Sequence, residues 1–149
     1  MNNACLACVN WMKKLLRSEL QGLLKNNICD IFFLRRRPER APGRPDFRQM
    51  LCTNSGEILR SENGIRHLNF RQAGPKQINE AIHNVVVTWD IFMQDYRNVS
   101  MEYCYLIKSI PADDNFWNYY NSVLYPMSPN EKMRYMDVAN QLPEVNEQN

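Results

Sequence analysis

Two neighbouring segments constrain this chain more than any other feature. In VVVTWDIFM, Val85, Val87, Trp89, Ile91 and Met93 alternate with Val86, Thr88, Asp90 and Phe92. In VSMEYCYLIKSI, Val99, Met101, Tyr103, Tyr105 and Ile107 alternate with Ser100, Glu102, Cys104, Leu106 and Lys108. A period of two in β-branched and aromatic residues suits a pleated sheet. Asp95, Tyr96, Arg97 and Asn98 between them read as a turn. The expectation is an antiparallel hairpin over 85–94 and 99–109, with residue 94 facing 99 and Trp89 facing Cys104. Both faces are substantially apolar, so this hairpin is expected at the centre of a small antiparallel sheet, covered on both sides.

Helical patterns flank it, which gives an α+β class. Cys5, Cys8, Val9, Met12, Leu15, Leu16, Leu20, Leu23 and Leu24 recur at spacings of three and four, predicting an N-terminal amphipathic helix over 4–25. So broad an apolar face must be buried. Pairing between protomers would place Val9, Met12, Leu16, Leu20 and Leu23 in an oligomer interface. ICDIFFL (28–34) is strand or helix extension. MLCTNSGEILRS reads as a small hairpin turning at Asn54, Ser55 and Gly56, and IRHLNF (65–70) as a further strand. Residues 75–84 suit a short helix.

Two C-terminal helices are expected. Asp113 and Asp114 open the first, where carboxylates favour the helix dipole, and Pro126 closes it. Ser128-Pro129-Asn130-Glu131 opens the second as a capping box. Met133, Met136, Val138 and Leu142 line that helix.

Placement of charge is the functional lead. The formal net charge is only +2 over 149 residues. Residues 1–50 carry ten Lys/Arg against four Asp/Glu, and residues 51–149 carry eight against twelve, so +6 is offset by −4. Six of the basic residues (Arg35, Arg36, Arg37, Arg40, Arg44, Arg48) fall in LRRRPERAPGRPDFR. Pro38, Pro42 and Pro45 bias that stretch away from helix. The resulting organisation is a helical segment (1–34), a basic proline-rich linker or arm (35–48), an α+β domain (49–142) and a polar tail (143–149). Arginine forks match phosphate geometry, and a basic run equally serves nuclear import. Nucleic acid or an import receptor is therefore the expected partner. Phe47, Trp117, Tyr119 and Tyr120 are candidates for stacking or partner contact. The competing reading is a solvated linker, or an arm docked on the acidic remainder of its own chain. Packing of the arginines against Asp or Glu would favour that one.

Catalytic classes find little support. None of the five glycines forms G-x-G, and the two histidines preclude H-E-x-x-H, which removes phosphate-loop, dinucleotide and zincin signatures. Five scattered cysteines argue against a disulfide framework. Cys5 and Cys8 could form half of a zinc site, carry a lipid beside Lys13 and Lys14, or simply pack. Cys104 with His67 or His83 is a conceivable thiol–imidazole pair, yet it lies mid-strand rather than where thiols are activated. We assign no catalytic, cofactor or metal residue. The leading sequence has neither the order of a secretory leader nor the length of a membrane span. An intracellular, nuclear or nucleocytoplasmic location is expected, and peripheral membrane contact stays open.

Three functions follow. The first is a non-enzymatic regulatory or nucleic-acid-associated adaptor, with a basic arm and a protein-binding body. The second is a self-assembling matrix-like or coat-like protein whose N-terminal helix oligomerises. The third is an enzyme with a dispersed site. A viral accessory role is a general impression from the short chain, odd cysteines and basic arm.

Overall fold

The computed structural model describes residues 13–70 and 79–137. The mixed α and β class holds: among the described residues, six helices flank one six-stranded antiparallel sheet. In chain order the elements are β1 (Lys13–Lys14), α1 (Arg17–Leu24), β2 (Ile28–Leu34), β3 (Phe47–Thr53), α2 (Gly56–Leu59), α3 (Glu62–His67) and α4 (Glu80–His83). There follow β4 (Val85–Asp90), β5 (Asp95–Ser100), β6 (Cys104–Ile110), α5 (Asp114–Tyr119) and α6 (Pro129–Met136). α5 runs on into a π turn over Tyr120–Leu124. The strands lie in the order β1-β6-β2-β3-β4-β5.

ICDIFFL resolves as strand β2, and it is the centre of the sheet, paired on one side with β3 and on the other with β6. The pleat sends its neighbours to opposite faces. Cys29, Ile31 and Phe33 join Met50, Cys52, Val86, Val99 and Cys104 in a core closed by Leu15, Leu20 and Leu24. Ile28 and Leu51 join the other core, with Trp89, Ile91, Ile58, Leu59, Phe116, Trp117 and Leu124. The near-continuous apolar run is what a strand covered on both faces requires. The β2–β6 register shifts between Asp30 and Ile31, a local bulge.

Four expectations are corrected. Within the described residues the helix expected over 4–25 is not continuous: Lys13 and Lys14 pair with Leu106 and Tyr105 of β6, and α1 begins at Arg17. The Leu15 N–H donates to the Cys104 carbonyl at 2.8 Å. Apolar spacing demanded burial of Leu15, Leu20 and Leu24, and an extended entry followed by two helical turns meets that demand while covering the edge of β6. Residues 4–12 of that prediction lie outside the described residues.

The central hairpin is also corrected. The turn falls at 91–94, Asp90 faces Asp95, and Trp89 faces Tyr96 rather than Cys104. The Asp90 carboxylate accepts the N–H groups of Phe92 at 3.0 Å and Met93 at 3.1 Å. Gln94 then takes a left-handed φ of 54°. The alternating run over 99–109 breaks at 101–103, and its second half leaves the hairpin to become β6 beside β2. The hairpin thus closes one end of the sheet, with β5 as an edge strand.

Finally, the hairpin at 54–56 and the strand at 65–70 give way to α2 and α3. Ser55 and Ser61 act as caps, accepting the N–H groups of Ile58 at 3.2 Å and Gly64 at 2.9 Å. Gly64 is required there, since a Cβ would lie 2.1 Å from the Ile58 carbonyl oxygen. The short helix expected over 75–84 is present as α4 in its described part, capped by Asn79. Both C-terminal helix starts hold: Asp113 accepts the Phe116 N–H at 3.0 Å, and Ser128 and Glu131 form the reciprocal box. Met136 is buried and Met133 exposed. Val138, Leu142 and the tail lie outside the described residues.

Candidate nucleic-acid interface

The basic stretch leaves β2 at Leu34 and returns into β3 at Phe47. It joins two adjacent strands of one sheet. The Arg35 N–H donates to the Asp46 carbonyl at 2.7 Å, closing the base of this long hairpin loop. A single 3₁₀ turn (Pro38–Arg40) shapes one side, and Gly43 supplies a left-handed φ of 80° on the other.

The six arginines divide into two sets. Arg35, Arg44 and Arg48 are tied down. Arg44 grips Asp137 with both arms, Nε to Oδ2 at 2.9 Å and a terminal nitrogen to Oδ1 at 2.7 Å. Arg35 reaches the same carboxylate at 3.1 Å and also donates to the carbonyls of Pro45 and Phe47. Burial alone would raise the Asp137 pKa, but hydrogen bonds from Arg44 and Arg35 hold it below the usual carboxylate value. Arg48 pairs with Asp90, whose side chain is 1% exposed, and touches the Met136 sulfur at 3.4 Å. Asp90 therefore holds both the β4–β5 turn and an arginine of β3.

Arg36, Arg37 and Arg40 are exposed, and among the described residues none has a carboxylate partner. Arg36 lies 3.5 Å from the His83 ring nitrogen. These three converge with Arg35, Arg48, Arg97, Asn98, Phe33 and Ala41 around a cavity of about 460 Å³. Six arginines line it and no carboxylate does. Arg97 enters from the edge strand β5, where it donates to the Tyr96 carbonyl at 2.9 Å and reaches Asp95 at 3.2 Å. Sequence reasoning missed Arg97 and Asn98, because only the hairpin's return along the sheet brings them to the loop.

The aromatic candidates separate in the same way. Phe47 is half-buried and stacks on Phe32, with ring centroids 4.9 Å apart. Trp117 and Tyr120 are buried in the second core, and the Tyr120 hydroxyl donates to the His67 carbonyl at 2.9 Å. Tyr119 is 51% exposed. Among the proposed interface leucines, Leu16 is exposed, Leu23 packs against the first core and Leu20 is fully buried in it. Val9 and Met12 lie outside the described residues.

Other chemistry-bearing groups serve the framework. Burial pushes the thiols of Cys29 and Cys104 up to about 12, the reverse of what a nucleophile needs. No cluster of His, Cys, Asp or Glu among the described residues could hold a metal ion, and Cys5 and Cys8 lie outside them. No described helix is long and apolar enough to cross a membrane. Asp30 accepts from Gln49 at 2.9 Å and from the Tyr135 hydroxyl at 2.7 Å, which fastens α6 to β2 and β3. Burial raises the pKa of Asp30 and raises that of Tyr135 well above the usual phenol value. No protein-family profile, curated protein or solved structure matches the chain.

Proposed function

We propose that this protein is a non-enzymatic, nucleic-acid-associated adaptor that binds phosphate through Arg36, Arg37, Arg40 and Arg97. The observation that carries the reading is the cavity lined by six arginines and no carboxylate. A loop docked wholly on its own chain would neutralise its cations one by one, as Arg35, Arg44 and Arg48 are neutralised by Asp137 and Asp90. Three neighbouring arginines without carboxylate partners, near a fourth on β5, raise the local positive potential and favour an anion there. An import receptor is the weaker partner, since a linear signal has no need of Arg97 from another strand. Exposed Leu16, Tyr119, Val123 and Tyr125 leave apolar surface for contact with a protein.

The test is the triple substitution Arg36→Gln, Arg37→Gln and Arg40→Gln, all on exposed positions. Binding to single-stranded nucleic acid should weaken, and the slope of log affinity against log salt should fall by about 2 for three lost phosphate contacts. Affinity and slope unchanged from the parent chain would refute the function.

A further inference from the structure

We propose that Ser128 is a phosphorylation site for a proline-directed serine/threonine protein kinase. The site uses none of the arginines that carry the phosphate-binding reading and stands independently of it.

Sequence is the first argument. Ser128 is followed by Pro129 and preceded, two residues earlier, by Pro126. No other serine or threonine of the chain precedes a proline. Proline has no N–H to offer a kinase groove. Kinases that select it after the acceptor hydroxyl seat its ring in an apolar recess instead. Proline also biases the residue before it toward extended backbone, and Ser128 obeys, with φ −69° and ψ 162°.

Access is the second. A kinase takes its acceptor hydroxyl from accessible, extended chain. Met127 and Ser128 lie outside any regular element, between the π turn and α6, and Pro126, Ser128 and Pro129 are exposed. To lie along a groove, only the first turn of α6 has to open. That releases the Lys132 N–H from the Ser128 carbonyl at 3.0 Å and parts the Ser128–Glu131 box. The other serines are less available. Ser55 is buried, and Ser61 is half-buried and donates to the Ile58 carbonyl at 2.7 Å. Ser122 donates to the Asn118 carbonyl at 2.6 Å. Ser18 lies within α1, and Ser100 and Ser109 lie in paired strands.

In the transfer, Ser128 Oγ attacks the γ-phosphorus of ATP. An O–P bond forms and the bond to the β–γ bridging oxygen breaks. ADP leaves with the electron pair, and the hydroxyl proton passes to the kinase's catalytic carboxylate. The phosphoserine carries about −1.5 to −2 at neutral pH, which nearly cancels the formal net charge of +2. Its oxygens can take over the Glu131 N–H that the hydroxyl accepts at 3.2 Å.

The full chain is incubated with a purified proline-directed kinase and magnesium ATP, then followed by intact and fragment mass spectrometry. One phosphoryl group, a gain of about 80 Da, should appear on Ser128. Ser128→Ala should abolish it. Pro129→Ala keeps the hydroxyl and should slow incorporation by about tenfold or more, with an unchanged circular dichroism spectrum. Absence of incorporation into the parent chain overturns the proposal. So does a phosphoryl group on another residue, or an undiminished rate in Pro129→Ala.

Discussion

Removing the Asp90 carboxylate is the sharpest test of how the site is held. Asp90 has no exposed surface, and its Arg48 partner is 12% exposed at the side chain. One oxygen faces Arg48 while the other accepts the Phe92 and Met93 N–H groups. Asp90→Asn keeps an oxygen for the turn but removes the charge, leaving Arg48 buried without its counterion. Breaking a buried ion pair by removing one partner costs about 3–5 kcal/mol. Asp90→Ala also abandons two backbone donors, adding about 1 kcal/mol for each. A domain of this size is stable by about 5–15 kcal/mol, so the alanine variant should be close to unfolding at room temperature. For Asp90→Asn a fall in Tm of roughly 6–20 °C is expected. The assay is urea and thermal denaturation followed by circular dichroism. The double variant Arg48→Met with Asp90→Asn is decisive, because it removes both charges and keeps the turn acceptor. It should recover at least half of the loss in Asp90→Asn, since the dominant cost is the orphaned charge and not the missing attraction. A double variant as unstable as the sum of the two singles would refute the reasoning.

Two further outcomes follow from other contacts. Asp137→Asn should destabilise by about 2 kcal/mol, because two arginines lose a half-buried counterion. The Asp137 pKa is lowered in the folded chain, so this contribution is present above the unfolded value of about 3.9 and lost as pH falls through the folded one. The stability difference between parent and variant should therefore shrink in acid titrations below about pH 4, and a difference that persists there contradicts the clasp. Gly64→Ala should cost about 3 kcal/mol or more in thermal denaturation, since the new Cβ meets backbone carbonyls of α2 at 2.1 and 2.6 Å; an unchanged Tm would mean that the α2–α3 junction yields freely.

What the sequence revealed depended on how far apart the interacting groups lie. Helix starts at Asp113 and Ser128 were legible, because a cap bonds three residues ahead and leaves its signature in one short window. Ser55 and Ser61 obey the same rule, yet the Asn-Ser-Gly triplet resembled a turn and hid the cap. The hairpin strands were legible by period, but the turn was not. Ile91 and Phe92 look like strand and Tyr96-Arg97-Asn98 like turn. The reverse holds because the Ile91 and Phe92 side chains are buried in the second core while the Asp90 carboxylate supplies the turn's hydrogen bonds. Alternation continued smoothly through the break at 101–103, so nothing local signalled that the second half belongs beside β2. The six arginines were visible as a cluster. Their division into bound and unmatched sets was not, since Asp90 and Asp137 come from distant parts of the chain.

That division links stability to recognition. Arg35 and Arg44 tie the two sides of the loop to one carboxylate on the end of α6, and α6 is itself fastened through Tyr135 to Asp30 of β2. Arg48 ties β3 to the turn from which Arg97 follows. The acidic remainder of the chain thus neutralises the arginines that shape the loop and leaves those at its tip unmatched. Ordering a long side chain on a mobile loop during binding costs about 0.5–1.5 kcal/mol each. A loop already clasped at both ends lowers the backbone share of that cost. If the loop binds phosphate as proposed, Asp137 and Asp90 serve affinity through the arginines they hold. Neutralising a tip arginine removes an electrostatic contact and flattens the salt dependence. Loosening the Asp137 clasp keeps every proposed phosphate contact, so it should weaken binding with the salt slope intact. This contrast in salt response separates a preorganised receptor from a merely basic arm.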